Sequence, residues 1–522
     1  MLSALEREIR EVAASDEPLP GLPYTAFREF GRTGERLGYE RRYFGRRARL
    51  AALAARALLD PALLDPALLD PLGDALDDVV WATCDEYTWV LPAHQSMPVD
   101  LFACETAHTL AEVAGRVDPA VGERARAEVR KRVLDRFLDP RPMEWEGFGN
   151  NWEAVCAGAA GMAALAVLDD PEPVLARCRA AMRRFLDGYG DDGGCVEGVA
   201  YWVYGFGYFV YFAEALRERT GEDLLDHPKV AAMAAFPHRV RFADGGHVPF
   251  SDTTGDPFLP AGLLTRLAER FGTPGPDGVP SFHADHCYRW GHLSRTLAWS
   301  RPVRSRPVET TSYLPDLAWV VDRGEHGYGF AAKGGHNDEP HNHDDLGHFV
   351  LRVAGRNVLD DLGAGEYTRD YFGDRRHTFL HPSAEGHSLP VVGGVPQRGG
   401  RAEVLEYAET PDGLSFALDL GSAYPAPVVR RFRWHRDGRL DLRDEFAGDV
   451  PVEEVFISRI RPEARGGRVS WDGLVTLDHP GFAATVETLA TRDHHGRPDT
   501  VHRLRLRVPP GHPAVDLRFT CH

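Results

Sequence analysis

Gly335-His336-Asn337-Asp338-Glu339-Pro340-His341-Asn342-His343-Asp344-Asp345 gathers three histidines, two asparagines and four acids around one proline. No period of two or of 3.6 runs through it, so the stretch predicts a loop. Phe349–Val353 then reads as a strand, Gly355-Arg356 as a turn, and Val358-Leu359 as the returning strand, which ends in Asp360-Asp361. His387 follows, just ahead of the apolar run Leu389-Pro390-Val391-Val392. A hairpin of this kind carries the histidine loop towards the acids beyond its second strand. His343, Asp361 and His387 then converge as two imidazoles and a carboxylate, a donor set suited to zinc. In a two-residue hairpin register Asp361 is not opposite His343, so the loop must fold back for the pair to meet. Asp360 competes for the same role, and a solvated polar loop is the alternative that the spacing leaves open.

Outward from this loop the chain has two characters. Ala- and Leu-rich stretches at helical spacing recur up to about Ser300: 27–59, 99–117, 120–138, 152–168, 172–189 and 201–217, separated by short Pro, Gly and Asp punctuation. Helices of this length on short connections must pack antiparallel, in a bundle or a closed ring. From about Thr311 alternation takes over, in runs such as Leu414–Leu418, Val428–Trp434, Leu440–Phe446 and Val452–Ile457. Turn signals at Pro411-Asp412-Gly413 and Asp437-Gly438 separate them. The reading is α+β and multidomain: a helical domain over 1–306 and an antiparallel, sandwich-like β domain over 307–522, with the proline-flanked stretch 301–307 as linker. Within 57–72 the unit Ala-Leu-Leu-Asp-Pro occurs three times, and its prolines prevent one continuous helix.

Length and composition set the class. A chain of 522 residues exceeds one ordinary core, and 26% charged against 43% hydrophobic residues is the balance of a soluble globular protein. The seven cysteines show no Cys-x-x-Cys spacing, which points to reduced thiols. The charged opening Met1–Arg10 lacks a secretory core and no apolar run matches a bilayer, so the expected compartment is the cytoplasm, with no membrane partner. A net charge of −18 argues against nucleic acid. A homodimer is left open. Lysine occurs only at Lys131, Lys229 and Lys333, an arginine bias that reflects genome composition more simply than function.

The helical half holds its own candidates. Gly147-Phe148-Gly149-Asn150-Asn151-Trp152-Glu153 opens one helix, and Glu197-Gly198-Val199-Ala200-Tyr201-Trp202-Val203-Tyr204 opens the helix two further on. One asparagine suffices for an N-cap, so the second is surplus. Tyr201, Tyr204 and Tyr208 fall on helical spacing, which by itself reads as an aromatic core stripe. Trp89 and His94 end another aromatic segment and could line a sugar subsite or simply cap and fill the core.

His341-Asn342-His343, the strand pair ending in Asp361-Leu362-Gly363, and Ser383 to His387 resemble the heparinase II/III family of polysaccharide lyases. Ser388 stands where that family usually has Asn. The resemblance implies an (α/α) toroid followed by a β-sandwich domain and an acidic oligosaccharide or polysaccharide as substrate. It also implies β-elimination beside a uronic acid, with a zinc ion at His343, Asp361 and His387 supporting the loop. It assigns catalysis to Asn150, Asn151, His341 and either Tyr201 or Tyr204, and leaves Trp89, His94, Trp152, Glu153 and Glu197 to line the substrate. Two other readings stay open: a glycoside hydrolase using Glu153 and Glu197 as opposed carboxylates, and a carbohydrate-binding protein without catalysis.

Overall fold

The computed structural model describes residues 2–60, 71–304, 307–448 and 450–522. Ten residues of the alanine–leucine–proline repeat (61–70), and 305–306 of the expected linker, lie outside them. The chain does not divide at a single point near 307. One compact unit comprises Met1–Tyr189, Tyr201–Ala234 and Phe258–Pro307, and the other comprises Gly190–Ala200, Ala235–Pro257 and Val308–His522. Two short stretches of the helical half therefore belong with the β unit.

The first unit is helical. The expected helices appear as Leu101–Val113, Asn151–Val167, Glu172–Asp187 and Val199–Thr220. The stretch expected at 27–59 is instead broken into Tyr24–Phe27, Glu29–Thr33 and Leu37–Leu59, with Gly34 in the left-handed region between the last two. Asn151–Val167 is buried almost all round, because it packs between Leu101–Val113 and Glu172–Asp187 while its glycines face Val199–Thr220. A β-carbon at Gly158 would sit 2.9 Å from the Tyr208 carbonyl oxygen, and one at Gly161 2.4 Å from the Phe212 ring. Among the described residues no helix is long and apolar enough to cross a membrane.

The second unit is antiparallel β. A five-stranded sheet runs in the order Thr311–Leu314, Trp319–Arg323, Gly329–Lys333, Phe349–Val353, Arg356–Leu359. A nine-stranded sheet has Val428–His435, Arg439–Phe446 and Ala514–Cys521 near its middle, and a four-stranded sheet includes Val452–Ser458 and Pro498–Val508. The first two sheets face each other across one core: Phe330 and Phe349 lie 5.6 and 5.5 Å, ring to ring, from Phe432. The alternation read from the sequence thus becomes one buried face per strand, as in Val428–His435.

The two stretches borrowed from the helical half are tied down by polar bonds. Asp192 and Asp316 each accept the other's backbone N–H, at 2.8 and 3.0 Å. Arg239 donates to the carbonyls of Asp192 and Tyr313, and Phe250 packs edge-on against Trp319.

Candidate functional site

The histidine loop begins where Gly335–His336 pairs with Arg401-Ala402 and ends at the strand Phe349–Val353. Asn337 closes it, donating from its amide to the His343 carbonyl and accepting from Gly400 N at 2.8 Å. Just after Pro340, His341 takes a left-handed φ of 56°, a rare conformation for a residue with a side chain. That kink is the bend needed to give His341 and His343 different surroundings. Further along, Gln397 holds both polar groups of the Leu346 backbone.

Both imidazoles reach the same carboxylate, Asp252, which no motif in the sequence marks. Asp252 Oδ1 is 2.9 Å from His343 Nε2 and 2.7 Å from Tyr371 Oη; Oδ2 is 2.8 Å from His341 Nδ1 and 3.2 Å from Arg376 Nη2. Burial alone would raise this carboxyl, but the hydrogen bonds from His341 and His343 hold it well below the ordinary carboxylate range. The turn that presents it needs close packing. Ser251 has a φ of 65°, and a β-carbon at Gly198 or Gly363 would come within 2.8 Å of the Phe250 carbonyl or 1.9 Å of the Thr253 carbonyl. The glycines of Glu197-Gly198 and Asp361-Leu362-Gly363, both singled out in the sequence, are there to let this turn dock.

Glu197 is buried, with Oε1 4.0 Å from His341 Nε2. Burial pushes its carboxyl up to about 7, opposed by His341 and assisted by Asp252. Glu339 is likewise pushed up to about 7 by burial. At neutral pH the surroundings of His341 therefore hold acids that can carry a proton.

The expected metal ligands are brought together with one change. His343, Asp345 and His387 offer ligand atoms within 4.8 Å of one another. Asp345 rather than Asp361 is the acid in this group, and Lys333 Nζ holds its Oδ2 at 2.7 Å. Asp361 stays beside the group, its Oδ2 lying 3.6 Å from His387 Nε2. Asp360 is engaged elsewhere, with Asn357 and Arg459.

The donor chemistry fits a cation. His343 Nε2 meets a carboxylate and His387 Nδ1 meets the Ser383 carbonyl at 2.9 Å, so both of those nitrogens carry hydrogen. The remaining nitrogens, His343 Nδ1 and His387 Nε2, then face each other as lone pairs at 3.4 Å. Burial holds His387 neutral, down to about 3, so no proton relieves the pair there. Asp345 Oδ1 and Asp361 Oδ2 are buried and accept no hydrogen bond. His348 Nδ1 accepts from Ser388 N at 2.9 Å, and its Nε2 lies 3.5 Å from Asp361 Oδ2 without a hydrogen bond between them. Ser388, the departure from the family pattern, is fully buried, and its Oγ accepts from Ile457 N.

In the helical unit some of the expected residues are scaffold and others stay candidates. Asn150 is an N-cap, accepting from Trp152 N at 3.1 Å. Asn151 is the surplus one, buried with Oδ1 unpartnered and packed on the backbone of Gly205. Tyr204 is core, 8% exposed with the Arg289 guanidinium 4.1 Å over its ring, whereas Tyr201 is only half-buried. Trp89 is not a sugar platform: it is 1% exposed and its indole donates to the Thr83 carbonyl. Glu153 is fully buried and its Oε1 is taken by Gly147 N and Arg184 Nε, so it braces the loop before its helix. His94 and Trp152 form a half-buried edge-to-face pair 4.9 Å apart, with His94 Nδ1 on Asp100.

Solved structures share this architecture. A heparinase III gene product matches with a TM-score of 0.63 at 11% identity, over 99% of this chain and 83% of its own. Heparan sulfate lyase HepC from Pedobacter heparinus matches with a TM-score of 0.59 at 13% identity, over 95% of this chain and 74% of its own. The fold is that of the heparinase-type polysaccharide lyases. Chondroitin AC lyase from Streptomyces coelicolor A3, solved with chondroitin sulphate, also shares it, with a TM-score of 0.52 at 13% identity over the whole of this chain and 79% of its own. No protein-family model and no curated protein matches the chain. At these identities the heparinase-type likeness is one of fold, and activity has to be argued from the site.

Proposed function

We propose that the protein is a lyase that cleaves uronic-acid-containing glycans by β-elimination. The observation that carries the reading is His341, held on a kinked loop with Nδ1 on a buried carboxylate and Nε2 turned to a buried acid, inside a heparinase-type fold. In the reaction the C5–H bond breaks and its proton passes to His341 Nε2. The electron pair forms the C4–C5 double bond as the C4–O4 bond breaks, and O4 takes up a proton. Tyr201 is assigned as its donor, and Asn151 as a donor to the substrate carboxylate, on the resemblance alone. Tyr204 and Asn150 are set aside because the core and the N-cap account for them.

A zinc ion is proposed at His343, Asp345 and His387, with Asp361 beside them; when bound it supplies cross-linking of the loop and not redox chemistry. The hydrolase alternative loses support, because Glu153 is fully buried with Oε1 held by Gly147 and Arg184. The test is a panel of uronate oligosaccharides followed by ultraviolet absorbance, with metal analysis of the purified protein. New absorbance with no water added to the product is expected, along with about one zinc per chain. Saturated products would overturn the lyase, and a melting temperature indifferent to zinc and chelator would overturn the metal.

A further inference from the structure

We infer that the helical unit carries a binding surface for an acidic glycan built on Tyr87, with Phe27 against it and Tyr24 and Arg28 on the same short helical segment as Phe27. That the glycan held there is the one cleaved rests on the lyase reading above; the surface itself does not.

The segment Glu86-Tyr87-Thr88-Trp89 hides one aromatic and shows the other. Trp89 is buried, whereas Tyr87 is 91% exposed. One exposed tyrosine means little by itself. This one stands on a loop whose neighbours are fixed. Glu86 is buried between Arg46 and Arg47, at 2.6 and 2.7 Å, and Arg132 donates to the carbonyls of Cys84 and Glu86. On the other side the Tyr43 hydroxyl donates to the Trp89 carbonyl at 2.9 Å. The backbone is held on both sides of Tyr87 while its ring is left in water, and a ring already ordered loses less freedom on binding.

Other rings meet it. Phe27 lies edge-on to Tyr87 at 6.0 Å, and the buried Tyr39 backs Phe27 at 5.7 Å. Tyr24, three residues before Phe27, is 70% exposed with the Arg28 guanidinium 5.7 Å over its ring. Arg42 reaches the Gly21 carbonyl at 3.4 Å, just ahead of the same segment. Charge selects the partner. In a chain of net charge −18, residues 21–50 hold eight arginines against three glutamates, and Arg28, Arg41 and Arg42 are exposed. Asp85, the exposed acid near Tyr87 in the chain, is bonded to Arg124. Flat rings take the C–H face of a sugar, and arginine forks take its carboxylates or sulfates. A neutral glycan would use the rings alone; an acidic one uses both.

The test runs full-length protein in affinity electrophoresis, in the cold, through gels holding heparin, hyaluronan or alginate, with neutral dextran as control. At least one acidic polymer should retard wild type, dextran should not, and added salt should release the protein. Tyr87→Ala should weaken that retention about 10-fold. Arg28→Glu should weaken it by a similar factor that shrinks as salt rises. Tyr24→Ala, on another element, repeats the measurement where Tyr87→Ala disturbs its loop. The inference is overturned if no acidic polymer retards wild type, if dextran retards it equally, or if all three variants match wild type. Retention without new ultraviolet absorbance removes the lyase reading and leaves the surface standing. New absorbance from a protein that none of the polymers retards does the opposite.

Discussion

Two buried ionic clusters in the β unit invite comparison. Arg430, Asp444 and Glu454 sit in the sandwich core, all fully or almost fully buried. There the guanidinium is used up: Nε and Nη2 meet Asp444, Nη2 also meets Glu454, and Nη1 meets the carbonyls of Gly347 and Ser388. Burial, with Asp444 beside it, pushes the Glu454 carboxyl well above its ordinary range, while Arg430 opposes that rise. The Asp252 cluster has an equally buried carboxylate but is differently finished, with His341 and Arg376 only partly buried. Beside it stand two imidazole nitrogens lone pair to lone pair and two carboxylate oxygens with no hydrogen bond. Buried charge alone does not mark a functional site, and neither does one unpaired oxygen, since Glu454 Oε1 also lacks a hydrogen bond; the facing imidazole nitrogens beside two such oxygens set the second cluster apart. The closed cluster also serves the open one, since Gly347 and Ser388 flank His348 and His387.

The comparison breaks most sharply at Arg430. Arg430→Met strands Asp444 in the core, and the β unit should lose about 3–5 kcal/mol in chemical denaturation. A loss well under 1 kcal/mol would mean that the closed cluster does not brace the sandwich. At the open cluster the expected cost falls on rate. His341→Ala and Tyr201→Phe should each lower turnover about 10²- to 10⁴-fold while the melting temperature changes little. Turnover surviving in both variants, on a glycan that wild type cleaves, would remove these residues from the chemistry. The smallest effect is expected from the cap. Asn150→Ala should cost about 1 kcal/mol of stability with activity kept, whereas Asn151→Ala should lower turnover and cost less stability than that. Stability and turnover measured on the pair would show whether the surplus asparagine is the functional one.

The sequence by itself determines a good part of this protein. The switch from helical spacing to alternation and the loop character of 335–345 are written in residue type and period, which act locally. Pattern alone also favours an N-cap at Asn150 and a core role for Tyr204, and the fold agrees with both. Trp89 and Glu153 mislead, because an aromatic or an acid beside a helix end looks the same in sequence whether it faces sugar or core.

What only the tertiary structure decided is the carboxylates. Asp252 lies about ninety residues before the histidines it binds, in a stretch grouped with the β unit although it sits within the helical half of the sequence. Asp345, held by Lys333, rather than Asp361 is the carboxylate grouped with His343 and His387, a proximity that a hairpin register does not express. Periodicity records which face of an element is buried. It carries no information about which distant turn docks against it, since that depends on close approaches such as Gly198 and Gly363 against 250–253. A glycine says that something comes near; only the folded chain says what.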